Sequence, residues 1–257
     1  AQISSMLQSM AAAAERIFEF LEQPEEIDTA KGNIDTSKIE GNIVFDHVKF
    51  GYDPNKTIIN DFNCSVKNGQ KIAIVGPTGA GKSTMVKLLM RFYDVNSGAI
   101  LIDGHNIKDF KRGDLRKMFG MVLQDTWLFG GTVKDNIKYG KEDATDDEVI
   151  RAAKAAHVHH FIKTLPNGYN SLLNEESSNV SAGQKQLLTI ARVILADPKI
   201  LILDEATSSI DTRTEIQIQD AMDNLMKGRT SFIIAHRLST IKNADLILVM
   251  NHGDIVE

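Results

Sequence analysis

At residues 72–84 the sequence reads IAIVGPTGAGKST, and this stretch decides the fold of the chain. It opens with a short apolar run rich in β-branched residues, which is typical of a buried strand. A glycine-rich loop follows, and a helical pattern begins at Lys82. The loop fits the pattern G-x-x-x-x-G-K-[ST], whose backbone binds phosphate. The stretch therefore predicts a strand–loop–helix unit with an anion site at the loop.

The residue types in this loop suit a nucleotide triphosphate. Glycines let backbone N–H groups approach phosphate oxygens, and the helix N-terminus adds a partial positive charge. Lys82 is expected to reach the β- and γ-phosphates, and the Ser83 hydroxyl is expected to ligate Mg²⁺. The predicted nucleotide contacts of the loop are Gly76, Pro77, Thr78, Gly79, Ala80, Gly81, Lys82, Ser83 and Thr84.

Composition narrows the remaining classes. The 257 residues carry a formal net charge of −5, so no overall basic field favours nucleic acid. Cys64 is the single cysteine, which excludes an internal disulfide, indicates a reducing compartment and favours a small core residue at this position. The sequence contains no apolar run of eighteen residues, so it predicts no membrane-spanning helix within these residues.

Two later strands end in polar residues that suit phosphoryl chemistry. The apolar run 200–203 is followed by Asp204 and Glu205. Asp204 fits a Mg²⁺ ligand, and Glu205 fits a carboxylate that polarises the attacking water. His236 follows the predicted strand 230–235 and is interpreted either as a contact to the γ-phosphate or as an ordinary loop histidine.

Two further positions have open interpretations, and a third is a predicted helix start. Gln124 follows the apolar strand 118–123, where it could contact Mg²⁺ or orient the attacking water, or be a plain loop amide. Tyr52 could stack on a base or be a half-buried surface residue. Ser181 is a predicted N-cap of a helix that extends to Ala196. The free N–H groups at this helix start offer a second anion site, but alone they are weak evidence for nucleotide binding.

The N-terminal segment is predicted to be a helix ending before Pro24, followed by an acidic linker. Its apolar residues, Ile3, Leu7, Met10, Ala14, Ile17 and Leu21, follow a heptad pattern. Either this stripe packs on its own domain, or it belongs against a region outside this sequence. Since the chain starts inside a helical pattern without Met, we expect it to be a piece of a longer protein.

The middle of the chain predicts a helical insert. Residues 146–156 are helical in pattern, with Thr145 and Glu148 forming a capping box. His157, His159 and His160 could suggest a metal, but no carboxylate or cysteine lies at ligand spacing, so helix-end histidines are favoured. The apolar loop 127–129 is expected to be either buried or part of a docking groove.

Together these motifs resemble the nucleotide-binding domain of ABC transporters over about residues 41–257. The loop at 76–84 is similar to Walker A, and the segment 200–205 to Walker B. Tyr52 falls at the base-stacking aromatic, Gln124 at the Q-loop and His236 at the switch histidine. The segments 180–184 and 208–211 resemble the signature motif and the D-loop. Exporter-like segments are 91–93, 128–133 and 206–208.

This resemblance implies an α/β fold of the P-loop NTPase type: a mixed or parallel sheet flanked by helices, an antiparallel β subdomain, and an α-helical subdomain at about 140–195 carrying the signature motif. Residues 1–22 would be the cytoplasmic end of the last transmembrane helix, and 23–40 a linker. The implied ligands are ATP and Mg²⁺, with Mg²⁺ held by Ser83, Gln124 and Asp204.

The resemblance further implies catalysis by Glu205, His236, Gln124 and Lys82 at the cytoplasmic face of the cell membrane. ATP would be covered by Ser181, Gly183 and Gln184 of a second such domain, and a transmembrane domain of the same polypeptide would be the other partner. Nucleic acid is not an expected partner.

Two departures and three alternatives accompany this interpretation. Val180 and Ala182 replace a leucine and a glycine of the signature motif, and 174–178 replaces a glycine- and arginine-containing loop that is thought to meet the membrane region.

A soluble ABC ATPase of DNA repair or translation would predict basic surfaces or long coiled-coil insertions. A regulatory nucleotide-binding module would predict loss of Glu205 or His236. A coiled-coil interaction protein would need a longer heptad stripe than residues 1–21 provide.

Overall fold

The computed structural model describes residues 2–26, 30, 34–174, 179–204, 210–235 and 238–257. Its strands are β1 (Ile43–Phe50), β2 (Ile59–Val66), β3 (Lys71–Val75), β4 (Ser97–Ile102), β5 (His105–Asn106), β6 (Phe119–Val122), β7 (Gly131–Thr132), β8 (Leu172–Leu173), β9 (Ile200–Asp204), β10 (Thr230–Ile234), β11 (Leu246–Asn251) and β12 (Asp254–Ile255). Its α-helices are α1 (Gln2–Leu21), α2 (Lys82–Leu89), α3 (Arg112–Lys117), α4 (Val133–Lys138), α5 (Asp146–Ala155), α6 (His159–Thr164), α7 (Ala182–Ala196), α8 (Thr212–Met226) and α9 (Leu238–Lys242).

A six-stranded sheet forms the centre, in the order β12-β11-β3-β10-β9-β6. All neighbours from β11 to β6 pair in parallel, and only β12 is antiparallel, to β11. The chain leaves β3, β6 and β9 at one edge, since parallel strands share their carboxyl ends. Ligand-binding residues of open α/β sheets lie at this edge. The loop after β3, Gln124 after β6 and Asp204 at the end of β9 are therefore neighbours.

A second, antiparallel sheet has the order β2-β1-β4-β5 and packs against the central sheet. The ring of Phe45 on β1 lies 5.0 Å from that of Phe62 on β2 and 6.2 Å from that of Phe232 on β10. These rings are buried and belong to the core that α2 shares. The antiparallel sheet is thereby held against the strands that position the glycine-rich loop.

The helices of residues 133–196 share a separate apolar core on the other side of the central sheet. It is formed by buried side chains of α4, α5 and α7, such as Ile137, Val149 and Leu188, together with Leu203 of β9. Thr132, Thr145 and Ser181 each form a capping box with the residue three positions later. The predicted capping box at Thr145 and the predicted N-cap at Ser181 are confirmed, and the box at Ser181 is an addition by the structure.

One prediction about local structure is corrected. The sequence pattern predicts separate strands at 57–59 and 62–66, but a single strand, β2, runs from Ile59 to Val66 and pairs with β1, with irregularities in register. The N-terminal stripe does not pack on its own domain, since no residue of α1 is buried. No helix of the described residues is long and apolar enough to cross a membrane.

The apolar loop at 127–129 is buried in part and exposed in part. Leu128 is buried in the helical core, whereas Trp127 is 62% exposed. Arg192 of α7 holds this loop against α4, because its guanidinium donates to the backbone oxygen of Trp127 at 3.2 Å and to that of Asn136 at 2.8 Å. Burial lowers the pKa of Arg192 below its ordinary value.

Candidate nucleotide site

The glycine-rich loop turns tightly because its glycines adopt backbone angles that other residues avoid. Gly76 has φ +152°, and a Cβ there would lie 2.2 Å from the backbone oxygen of Met250 on β11. Gly79 at the tip has φ +84° and open space around it. Glycine is thus required at the base of the loop for close packing and at the tip for conformation.

The hairpin of β11 and β12 supports the loop from the side. The Gly253 N–H donates to the Ala80 backbone oxygen at 3.1 Å, and Met250 contacts Gly76 as described. The apolar run 244–250 followed by His252 and Gly253 predicts such a closing hairpin, but nothing in the sequence indicates a role in the site, because these residues lie some 170 positions after the loop and match no phosphate motif. The rigidity of the loop therefore depends on the C-terminal end of the described chain.

Lys82 is directed into the loop itself. Its Nζ donates to the backbone oxygens of Gly76 at 2.6 Å and of Pro77 at 3.0 Å. These two bonds hold the ammonium at the mouth of the loop, beside the N-terminus of α2. A positive side chain and the first N–H groups of a helix then face the same space, which favours an anion.

Most of the predicted phosphate residues and all three predicted metal ligands line one cavity of about 360 Å³, whereas Gly76, Pro77 and Ala80 do not line it. It brings together residues from the loop, from the end of β6 and from the end of β9: Thr78, Gly79, Gly81, Lys82, Ser83, Thr84, Gln124 and Asp204, with Ile58 and Ile234 as apolar neighbours. Ile58 was not predicted to border the site; it precedes β2 and reaches the loop only through the fold.

The oxygen donors in this cavity suit Mg²⁺. Ser83 offers a hydroxyl, Gln124 an amide oxygen and Asp204 a carboxylate. Mg²⁺ is commonly held by one or two carboxylates together with substrate phosphates, rather than by a full protein cage. Among the described residues no cluster of three histidines, cysteines or carboxylates could hold a metal by itself. The donor set therefore fits a Mg²⁺ that arrives with a phosphate ligand.

Tyr52 lies beside this cavity but does not line it. Its ring is 46% exposed, and its hydroxyl lies 3.5 Å from the hydroxyl of Thr84 on α2. A larger cavity of about 590 Å³ adjoins the first, shares Ser83 and Asp204 with it, and has Tyr93 on its wall. The exposed Tyr52 ring lines neither cavity, and base stacking by this ring stays a prediction.

The signature residues lie apart from the cavity, at the start of α7. The Ser181 hydroxyl accepts from the Gln184 N–H at 3.3 Å, and the Gln184 side chain accepts from the Ser181 N–H at 2.9 Å. Gly183 is buried against α8, where a Cβ would lie 2.4 Å from Cγ2 of Thr214. Ser181 is exposed, so this helix start presents an open surface rather than a contact with the loop of its own chain.

Asp211, within the segment that resembles the D-loop, caps α8. Its carboxylate accepts from the Thr214 N–H at 3.0 Å, and this bond holds the pKa of Asp211 below its ordinary value. Glu205 and His236, the predicted catalytic carboxylate and switch histidine, lie outside the described residues, as do residues 175–178 and 206–209.

Of the histidines considered for a metal, His159 accepts or donates a 2.7 Å hydrogen bond with the Tyr169 hydroxyl. Burial raises the pKa of Tyr169 to about 12. Cys64 is partly buried beside the core, and burial raises the pKa of its thiol. Both positions are accounted for by packing and local hydrogen bonding.

The fold combines a parallel sheet, a glycine-rich loop after one strand, a carboxylate at the end of another, and a helical unit that carries a capped signature helix. This combination defines the ATP-binding domain of ABC proteins. The family model described as ABC transporter matches residues 59–208. The chain belongs to the ABC transporter family and binds ATP.

Its curated relatives are named as ABC transporter ATP-binding proteins, several of them with a permease part. It is 54% identical over 251 residues to a fatty acid ABC transporter ATP-binding/permease protein of Mycobacterium bovis, covering 98% of this chain and 40% of the relative. It is 52% identical over 256 residues to the ABC transporter ATP-binding protein YfiC of Bacillus subtilis, covering 100% of this chain and 42% of the relative.

A solved structure of a bacterial Atm1-family ABC exporter with ATP bound is similar to 97% of this chain, with a TM-score of 0.83 and 40% identity. The match covers 44% of the exporter chain. The predicted fold class is confirmed. The chain spans about two fifths of the length of these relatives.

Proposed function

We propose that this chain hydrolyses ATP, and that hydrolysis drives export of a substrate across a membrane. The observation that carries the proposal is the convergence of Lys82, Ser83, Gln124 and Asp204, from three separate elements, on one cavity. These are the residue types that phosphoryl transfer to water requires: a cation for the phosphates, oxygen donors for a metal, and an amide that can orient water.

The residues divide the work between binding and positioning. Backbone N–H groups of residues 78–84 and the Lys82 ammonium hold the β- and γ-phosphates. Ser83, Gln124 and Asp204 would hold Mg²⁺, which when bound neutralises charge on the phosphate oxygens. Glu205, one residue beyond the end of β9, is the proposed carboxylate that orients the attacking water and takes its proton. His236 is the proposed contact to the γ-phosphate.

The site is proposed to be completed by a second such domain. Ser181, Gly183 and Gln184 lie at an open helix start with a partial positive charge, and they do not line the cavity of their own chain. If this helix start covered the γ-phosphate of ATP bound to a second copy, it would gain an anionic ligand. ATP would then join the two copies, and loss of the γ-phosphate would release them.

The proposed setting is the cytoplasmic face of a membrane, with a transmembrane domain as the other partner. The Mycobacterium bovis relative is named as an ATP-binding/permease protein, and the similar solved chain is an exporter. The α1 helix carries exposed apolar residues and no buried ones, which fits a helix whose partner lies outside these residues. The exported substrate class is not part of the proposal.

A phosphate-release assay with ATP and Mg²⁺ tests the chemistry. The chain should release phosphate, and its specific rate should rise with protein concentration because the site needs two copies. Glu205→Gln should lower the rate about 100-fold or more, the scale of a positioned general base, while leaving ATP affinity intact. Turnover that is unchanged in Glu205→Gln would contradict the proposal.

A further inference from the structure

The Tyr52 ring is in contact with two aromatic rings that lie outside the phosphate and metal motifs. The Tyr93 ring lies 4.9 Å from the Tyr52 ring at 81°, and the Phe50 ring lies 5.0 Å from it at 85°. Tyr93 and Phe50 also contact each other at 5.7 Å. Edge-to-face pairs at these distances are the favoured geometry of aromatic rings. The three rings therefore form a closed cluster, rooted in the core by the buried Phe50.

The backbone that carries Tyr52 is tied to the segment that carries Tyr93. Gly51 donates its N–H to the Asn96 side-chain oxygen at 2.7 Å, and the Asn96 N–H donates to the Lys49 backbone oxygen at 2.9 Å. The turn after β1 is otherwise exposed. The position of Tyr52 therefore depends on the segment at 91–96.

That segment is anchored on both sides of Tyr93. Arg91 is fully buried, and its guanidinium donates to Asp94 at 2.9 Å and to the backbone oxygens of Lys108 and Phe110 at 3.2 Å. Asp94 also accepts from Arg112 at 3.2 Å. Burial and the charge pairing fix residues 91 and 94, so the Tyr93 ring between them has a rigid support.

We propose that Tyr93 is a positioning residue for nucleotide binding, which orients the Tyr52 ring for stacking on the base. This inference rests on the proposed base-stacking role of Tyr52. The ammonium of Lys87, 5.7 Å from the centre of the Tyr52 ring, adds a cation–π contact to the same arrangement. An exposed ring that is already ordered loses less side-chain freedom when a ligand binds, and affinity rises accordingly.

The test compares two ligands that differ in the base. Adenylyl imidodiphosphate with Mg²⁺ is titrated calorimetrically into the whole chain, and tripolyphosphate with Mg²⁺ is measured in parallel. Tyr93→Ala should weaken binding of the nucleotide about threefold to tenfold, the range expected for one aromatic pair. It should leave tripolyphosphate affinity unchanged, and Tyr93→Phe, which keeps the ring, should restore nucleotide affinity.

A matched control and a double variant complete the design. Tyr139 is also an exposed tyrosine, at 63%, but its ring packs against Phe129 at 5.6 Å and lines neither cavity. Tyr139→Ala should therefore leave nucleotide affinity unchanged. Once Tyr52 is alanine, adding Tyr93→Ala should weaken binding no further, because the ring that it orients is gone.

The outcomes separate this inference from the base-stacking role itself. If Tyr52→Ala leaves nucleotide affinity unchanged, base stacking is refuted, and the inference fails with it. If Tyr52→Ala weakens binding but Tyr93→Ala does not, only the positioning role of Tyr93 is refuted. Equal weakening of tripolyphosphate by Tyr93→Ala, or full additivity in the double variant, would also overturn it.

Discussion

Replacing Gly76 by alanine tests the packing that closes the base of the phosphate loop. The new Cβ would lie 2.2 Å from the Met250 backbone oxygen, and the backbone would keep φ +152°. A residue with a Cβ in a conformation of this kind costs about 1–3 kcal/mol, and relieving an overlap in a packed region costs a further ~1–3 kcal/mol. The sum, about 2–6 kcal/mol, is a large share of the ~5–15 kcal/mol that stabilises a native protein. Because the opposing atom belongs to the backbone, no side-chain substitution at Met250 removes the overlap.

Gly79→Ala is the matched control within the same loop. Its φ is +84°, and nothing lies within 4 Å of the position of its Cβ. Only the backbone term applies, about 1–2 kcal/mol. Urea unfolding followed by circular dichroism should place the midpoint of Gly76→Ala well below that of Gly79→Ala. Equal midpoints would refute the tight contact between the loop and β11.

Two further substitutions test charge in the site and at a helix start. Lys82→Ala should weaken binding of adenylyl imidodiphosphate about 10-fold to 100-fold, the loss expected for a charge-assisted hydrogen bond, and an unchanged calorimetric titration would contradict the role of this ammonium. Glu148 has a pKa of about 2, lowered by its hydrogen bonds with the Lys141 side chain and the Thr145 backbone and hydroxyl. Because folding lowers this pKa, the ionised Glu148 side chain stabilises the folded state fully at a pH above its ordinary pKa of 4.5. This contribution to the free energy of unfolding is lost as the pH falls toward 2. The difference in urea midpoint between the unsubstituted chain and Glu148→Gln should therefore narrow from pH 6 to pH 3, and a constant difference would contradict the assignment.

Much of the fold follows from local sequence patterns. The apolar runs before Gly76, Gln124 and Glu205 specify buried parallel strands, and their polar ends specify the ligand-binding edge of the sheet. The capping boxes at Thr145 and Ser181 mark helix starts by chemistry that involves only four residues. Such features are readable because the cause and the effect lie close together in the chain.

The support of the site could not be predicted in the same way. Met250 of β11 contacts Gly76 at the end of the neighbouring strand β3. The Asn96 side chain accepts from the Gly51 N–H, which joins the turn after β1 to the segment before β4. These contacts join residues far apart in the chain, and no local periodicity encodes them. The break predicted before Phe62 was wrong for a related reason: Asn60 and Asp61 are polar and exposed, but β2 runs through them because Ile59 and Phe62 on either side both pair with β1.

The central claim is that ATP joins two copies of this domain by placing the helix start at Ser181 over the phosphates of a second copy. Residues 1–23 are removed for the measurement, because the exposed apolar stripe of α1 could self-associate, and no residue of that helix is buried. Sedimentation velocity of the shortened Glu205→Gln protein should show a monomer without nucleotide and a dimer with ATP and Mg²⁺. Adding Ser181→Arg should abolish the dimer while ATP still binds the monomer. A monomer in both conditions, even at high protein concentration, would contradict the account.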